Sequence, residues 1–345
     1  MVFHHVSDAT YPGNVHPLAA YRYAGRVNHT MENMKSIVIA VLCLGAVFFP
    51  RNAFSQDRIP LSGPVRDTVI DDVRRANVVD TLISQLSDNY IFPEKIPALA
   101  AELKNRLQSP RYRAITSATA YADTLTNDLQ ELVGDKHLRV RYTDRKLPKG
   151  PPIERKPTTA EVDAERKEAA DASYGLGEVK LLDGNIGYME VKEFGYSASS
   201  VKDGYAAAME KLADADALIF DIRSNRGGTP FSLAILASYL FDGDSILLNS
   251  IYWRSENKTD EIWTHTHVAG RQFGRSKPVF VLVSDKTFSA AEEFAYDLQS
   301  LKRAKIVGVA TRGGANPGGG VRLDDHFFAF VPSGRAINPV TKTNW

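Results

Sequence analysis

A serine stands where an apolar strand hands over to a helix. Pro278 to Ser284 is an apolar run bounded by turn residues, and Ala290 to Leu301 has helical spacing, so Ser289 falls on the turn between them. A serine in such a place is a nucleophile when a base lies within hydrogen-bond reach and donors face the developing oxyanion. The same residue also fits a helix N-cap, because Ser289 and Glu292 form an S-x-x-E capping box. A second turn ends a second buried strand: Ala217 to Arg223 runs into Ser-Asn-Arg-Gly227-Gly228-Thr-Pro and then a helix from about Phe231 to Leu240. Successive N–H groups of a glycine turn at a helix start form an anion-binding concavity. Beside an exposed serine hydroxyl, that concavity could be an oxyanion hole.

Other chemistries have weaker footing. Cys43 is the only cysteine and lies in an apolar run read below as removed, so disulfides, thiol nucleophiles and thiolate metal sites drop out together. His265 and His267 alternate on an expected strand and face one side, but no third ligand stands at diagnostic spacing, so no metal is expected. Lys302 and Lys305 read as solvent-facing. Asp221 and Arg223 flank Ile222 near a strand end, where they either pair structurally or position substrate. Glu292 and Glu293 offer carboxylates one turn from Ser289.

The elements that must hold these residues follow along the chain. Met1 to about residue 33 has no period and reads as an extension carrying no fold. Residues 34–55 read as a secretory signal peptide: Lys35, an apolar stretch to Phe49 too short for a comfortable membrane span, and Ala53-Phe-Ser55 as a small-x-small cleavage site. The mature chain is then expected to start near Gln56 and to be periplasmic or extracellular. Residues 56–66 read as a linker. Residues 67–145 have helical periodicity, with Val79, Leu82, Ile83 and Leu86, then Leu99, Leu103 and Leu107, then Tyr121, Leu125, Leu129 and Leu132, giving a three-helix cap. Residues 146–178 read as a polar connector with an exposed helical piece, and residues 179–345 as a core in which strands alternate with helices. That alternation predicts an α/β domain with a largely parallel sheet between helices. A net charge of +1 gives no reason to expect nucleic acid or an anionic membrane as partner.

The combination DIRSNRGG, a T-F-S-A-A-E-E helix and G-V-A-T-R-G-G-A resembles the core of the tail-specific proteases, the S41 serine peptidases. Asn89-Tyr-Ile-Phe-Pro93 and Glu131-Leu-Val-Gly-Asp-Lys-His137-Leu-Arg-Val140 resemble the branch that includes interphotoreceptor retinoid-binding protein. The likeness runs from about Asp67 to the last residue. It implies a core of the ClpP/crotonase type, built of ββα units, and a peptide or unfolded protein as substrate, with no cofactor. Many tail-specific proteases carry a PDZ domain between cap and core. Only about forty residues separate His137 from Val179, short of the ~50 that a domain with its own core needs.

The resemblance makes Ser289 the nucleophile, with Ala290 N–H and a glycine N–H from Gly227 or Gly228 as oxyanion donors, and Glu292, Asp221 and Arg223 in support. In the C-terminal processing branch a lysine follows the serine in a G-x-x-T-x-G-K string. Here the string is Gly308-Val-Ala-Thr311-Arg-Gly313-Gly314, with glycine at the lysine position. In tricorn-type relatives a histidine from the helical domain reaches the serine, and His137 stands at the matching place, with a side chain that titrates near neutrality. A domain-interface histidine bonded to a backbone carbonyl is the other reading of His137. Family members typically run on past Asn338-Pro-Val-Thr-Lys-Thr-Asn344-Trp345 through an acidic residue, which orients the histidine in the tricorn-like arrangement, so the core reads as truncated. The expected function is a serine peptidase. The alternatives are a binder of retinoid or fatty acid in the same cleft and, by fold analogy alone, a CoA-thioester enzyme.

Overall fold

The computed structural model describes residues 65–150 and 156–345. The extension, the signal peptide and nearly all of the 56–66 linker lie outside the described residues.

The first part is helical: α1 (Asp72–Asn89), α2 (Ile96–Leu107), the short α3 (Pro110–Arg113) and α4 (Ala118–Val133). Asp71 caps α1 by accepting Arg74 N–H at 2.7 Å, and Ser117 caps α4 by accepting Ala120 N–H at 3.0 Å. Gly134 ends α4 with φ 74°, a left-handed conformation that glycine adopts without a Cβ penalty. The chain then turns tightly into β1 (Arg139–Tyr142). After α5 (Thr159–Asp171) come β2 (Leu176–Leu182), β3 (Ile186–Val191), α6 (Ala198–Leu212), β4 (Ala217–Asp221), α7 (Pro230–Ser238), β5 (Leu247–Trp253) and β6 (Lys258–Trp263). The chain closes with β7 (Val279–Val283), α8 (Ala290–Ser300), β8 (Lys305–Gly308), β9 (Gly318–Arg322), β10 (Phe327–Pro332) and β11 (Gly334–Ile337).

The principal sheet has the order β2-β3-β4-β7-β8, with β3, β4, β7 and β8 parallel and β2 antiparallel at one edge. Val279, Val281 and Val283 of β7 are buried, while Phe280 and Leu282 between them are half-buried, so one sheet face is sealed and the other partly covered. Leu218, Phe220, Val281, Phe294 and Leu298 join one apolar core with α6 and α7. Every residue of α7 except Phe231 is buried, which is why its sequence shows no helical stripe.

Two expectations change. The 67–145 region is not helical throughout: its β1 pairs with β10, and β10 with β9, in a three-stranded antiparallel sheet. Leu323, Phe327, Ala329 and Val331 therefore complete the apolar core built by Val79, Leu82, Leu86, Leu125 and Leu129. The 146–178 connector also belongs partly to the core. Its helix α5 packs on α6, with Ala169 fully buried, and β2 already begins at Leu176.

Candidate active site

Ser289 is held by two turns stitched to each other. From the turn after β7, Ser284 Oγ donates to Arg223 O at 2.6 Å and Thr287 Oγ1 to Ile222 O at 3.0 Å, while Phe288 N–H donates to Asn225 O at 3.1 Å. The end of β4 and the start of α8 are thereby locked together. Ser289 itself has φ 56° and ψ −127°. A non-glycine residue there is strained and persists only where its surroundings over-determine it.

Its partner comes from the helical region. His137 Nε2 lies 3.0 Å from Ser289 Oγ, across 152 residues of sequence. The path is α4, its Gly134 stop, and the turn in which Asp135 Oδ1 accepts His137 N–H at 3.0 Å. The imidazole packs against the rings of Phe288 (centroids 4.5 Å apart) and Phe330 (5.6 Å), the latter from β10. Burial, then the nearby Arg139 and Arg312 cations, push the His137 pKa down to about 3, so the ring is neutral near pH 7. Burial also raises the Asp135 carboxyl above the usual carboxylate range, against the hydrogen bonds it accepts from Asn316, His137 and Tyr90. The histidine is thus on the serine, and the carbonyl-bonded alternative is not what the ring does.

The glycine turn lies against the same serine. A Cβ on Gly227 (φ 102°) would come within 2.7 Å of Ser289 Cβ, and one on Gly228 (φ 143°) would collide with Phe194 O. The two glycines differ in what their N–H groups do. Gly227 N–H donates to Asn225 Oδ1 at 2.8 Å and is spent. Of the expected pair, that leaves Gly228. Gly228, Ala290, Ser289, His137, Glu293 and Phe330 line one small cavity, and Ala290 N–H, at the first helical position, has no carbonyl of its own helix to bond.

Glu292 does more than the capping box implies. Its Oε2 accepts the N–H groups of Ser289 and Gly314, both at 2.8 Å, and its Oε1 accepts that of Gly313 at 2.6 Å. One carboxylate thus fastens the start of α8 to the loop after β8. Asp221 and Arg223 do not join the site. They pair with each other (2.6 Å from Arg223 Nη2 to Asp221 Oδ2), Tyr188 OH adds a bond to Asp221 Oδ2 at 2.8 Å, and the Arg223 side chain is largely exposed. β6 ends at Trp263, so His265 and His267 lie beyond it and do not share a strand face. Among the described residues no His, Cys, Asp and Glu cluster could hold a metal ion. Lys302 and Lys305 are exposed.

Asp135, Asn225 and Asn316 also belong to this region without a place among the candidates read from the sequence, where Glu293 figures only as a carboxylate near Ser289. Asn225 carried a signal: an asparagine two residues before a glycine is an Asx-turn pattern. Glu293 is buried, accepts from Asn249 Nδ2 at 3.0 Å, and is pushed up to about pKa 7 by desolvation. No local pattern marks it.

Residues 185–343 match the family model for peptidase family S41, and residues 70–173 match that for the N-terminal domain of Peptidase_S41 in eukaryotic IRBP. A carboxyl-terminal-processing protease of Synechocystis sp. is 32% identical over 131 residues, which is 37% of this chain and 28% of the relative's own length. Among solved structures, a protein of Parabacteroides merdae assigned as a peptidase superposes with a TM-score of 0.52 at 19% identity, covering 78% of this chain and 86% of that one. Mature CPAF superposes with a TM-score of 0.53 at 13% identity, covering 79% and 92%. At these identities the two structures speak for the fold.

Proposed function

Because the chain belongs to peptidase family S41, with the IRBP-type N-terminal domain, we propose that it hydrolyses peptide bonds with Ser289 as nucleophile and His137 as general base. The observation that carries this reading is the 3.0 Å separation of His137 Nε2 and Ser289 Oγ. Ser289 Oγ attacks the scissile carbonyl carbon as His137 Nε2 takes the hydroxyl proton. The carbonyl oxygen becomes an oxyanion between Gly228 N–H and Ala290 N–H. His137 gives the proton to the departing amine, leaving an acyl-serine. A water then loses a proton to His137 and attacks the acyl carbon; as the acyl C–Oγ bond breaks, His137 returns the proton to Ser289 Oγ and the new carboxylic acid leaves. Gly227 and Glu292 hold the serine turn, and Asp221 and Arg223 brace the end of β4 beneath it.

The substrates in this reading are peptides or unfolded proteins, the core is of the ClpP/crotonase type, and residues 34–55 direct export. About 40 Å³ beside Ser289 is open to a water-sized occupant, against the ~300 Å³ or more of pockets that enclose drug-sized ligands, which favours a peptide laid across the site over an enclosed retinoid or fatty acid. The test is incubation with denatured casein and mass spectrometry of the products. Fragments formed by the native protein and not by Ser289→Ala support the reading. Intact casein, with a fatty acid bound stoichiometrically, replaces it with the binding function.

A further inference from the structure

Two buried polar atoms beside the serine have no hydrogen-bond partner among the described residues, and they are chemically complementary. One is His137 Nδ1 and the other is Asn316 Oδ1. When Nε2 accepts the Ser289 proton, the neutral ring must carry its own proton on Nδ1, which makes Nδ1 a donor; an amide oxygen is an acceptor. Both residues are tied to the same carboxylate. Asp135 Oδ1 takes His137 N–H at 3.0 Å, and Asp135 Oδ2 takes Asn316 Nδ2 at 2.9 Å. That second bond fixes which way the amide faces, because a carboxylate accepts from the NH₂ and leaves the oxygen on the other side.

We propose that Asn316 is a positioning residue for His137, its Oδ1 accepting the Nδ1 proton directly or across one water and so holding the tautomer in which Nε2 faces Ser289. Several groups around His137 are engaged elsewhere or unsuited to the task. Asp135 is occupied by His137 N–H, Asn316 and Tyr90 OH, Phe288 and Phe330 offer ring faces, and Arg139 and Arg312 are cations that donate only. The imidazolium formed during turnover needs such an acceptor most, since it is buried beside those two cations. Asn316 is also delivered by the loop that Glu292 fastens at Gly313 and Gly314, so the acceptor and the serine share one anchor.

The inference rests on the Ser289–His137 reading, and its test separates the two. Asn316→Leu removes both polar functions, whereas Asn316→Asp keeps an acceptor for His137 and gives up the donor to Asp135. Three quantities are read on the folded proteins, with melting curves as the control: the rate of Ser289 labelling by a fluorophosphonate, kcat and KM on a hydrolysed peptide, and the downfield imidazole Nδ1–H resonance in proton NMR. Asn316→Leu is expected to lose the resonance and about 10²-fold in kcat with KM within about twofold, less than the ~10⁴-fold tied to a charged orienting group. Asn316→Asp is expected to keep the resonance and move the acid limb of the labelling rate to higher pH. Wild-type kcat and resonance in Asn316→Leu, or an Asn316→Asp variant as impaired as Asn316→Leu, overturns the proposal. A labelled Ser289 indifferent to Asn316 removes the positioning role alone. An unlabelled Ser289 with an Asn316-dependent resonance supports the positioning and removes the peptidase reading.

Discussion

Gly314 lies so close to His137 that a Cβ at position 314 would approach the imidazole Cε1 at 2.8 Å and would collide with the Phe288 ring. The lack of a side chain at position 314 therefore leaves the space that the His137 and Phe288 rings fill. Gly314 has no positive φ, so alanine there meets a packing conflict and not a backbone one. Gly314→Ala is expected to tilt the imidazole off Ser289 and lower kcat by at least about tenfold, while stability falls by ~1–3 kcal/mol, the usual cost of overpacking. Gly314→Lys should not restore activity to His137→Ala by way of a lysine base unless the Phe288 ring also moves. Steady-state kinetics and urea denaturation check both statements.

Ser289 sits at φ 56°, where glycine is at ease and serine is not. Ser289→Gly should abolish turnover and raise the unfolding free energy by about 1 kcal/mol, the strain of a left-handed residue less one lost hydrogen bond. Ser289→Ala, which keeps the Cβ, should gain nothing. Denaturant midpoints of the three proteins decide it.

Removing the Glu292 carboxylate leaves three backbone N–H groups without their acceptor. Each orphaned donor costs about 1–3 kcal/mol where it stays buried, so Glu292→Ala should lose ~3 kcal/mol or more and loosen the 313–316 loop together with Ser289. Glu292→Gln keeps one acceptor oxygen and should lose less. Hydrogen exchange at Gly313, Gly314 and Ser289 would show whether the three amides open as a unit.

Two buried groups of this site give stability opposite pH dependences. His137 titrates near 3 in the folded protein against 6.5 ordinarily, so the unfolded chain binds the extra proton between those values. Its contribution is complete above about pH 6.5 and is lost as pH falls toward 3. Desolvation raises Glu293, beside the equally buried and raised Asp297, above the usual 4.5, so the folded state binds the extra proton, and its contribution is complete below about 4.5 and lost as pH rises through the raised value. Melting temperatures from pH 4 to pH 8 should therefore fall less steeply toward acid in His137→Phe, and fall less on the alkaline side in Glu293→Gln. The same slopes in the variants as in the parent would refute the assignment of these groups.

How much of this was legible depended on whether a signal was local. The strand, turn and helix around Ser289 and the turn at Gly227 and Gly228 are each contained in about twenty residues, and apolar runs with small residues between them mark both. The pairing of β1 with β10, which carries His137 to Ser289, joins residues near 140 to residues near 329, and no periodicity in either segment names its partner. For the same reason nothing local shows that Leu323, Phe327, Ala329 and Val331, from the other end of the chain, complete the apolar core of the helical region. Of the two roles the sequence leaves open for Asp221 and Arg223, the structure shows the mutual pairing, and neither residue lines the cavity at Ser289. Glu293 and Asn316 gain their importance only from burial, which a sequence of ordinary polar residues does not display.

The central claim is that Ser289 is activated by His137. Intact-mass and peptide-mapping analysis after exposure to a fluorophosphonate tests it most directly, with the native protein compared to Ser289→Ala, His137→Ala and the double variant. The account predicts one adduct, on Ser289, abolished by Ser289→Ala and slowed by orders of magnitude in His137→Ala. Peptide turnover in the double variant should be scarcely lower than in either single variant, because members of one catalytic unit are not additive. An adduct on Ser289 formed as fast without His137 as with it, or no adduct on Ser289 at all, would contradict the account.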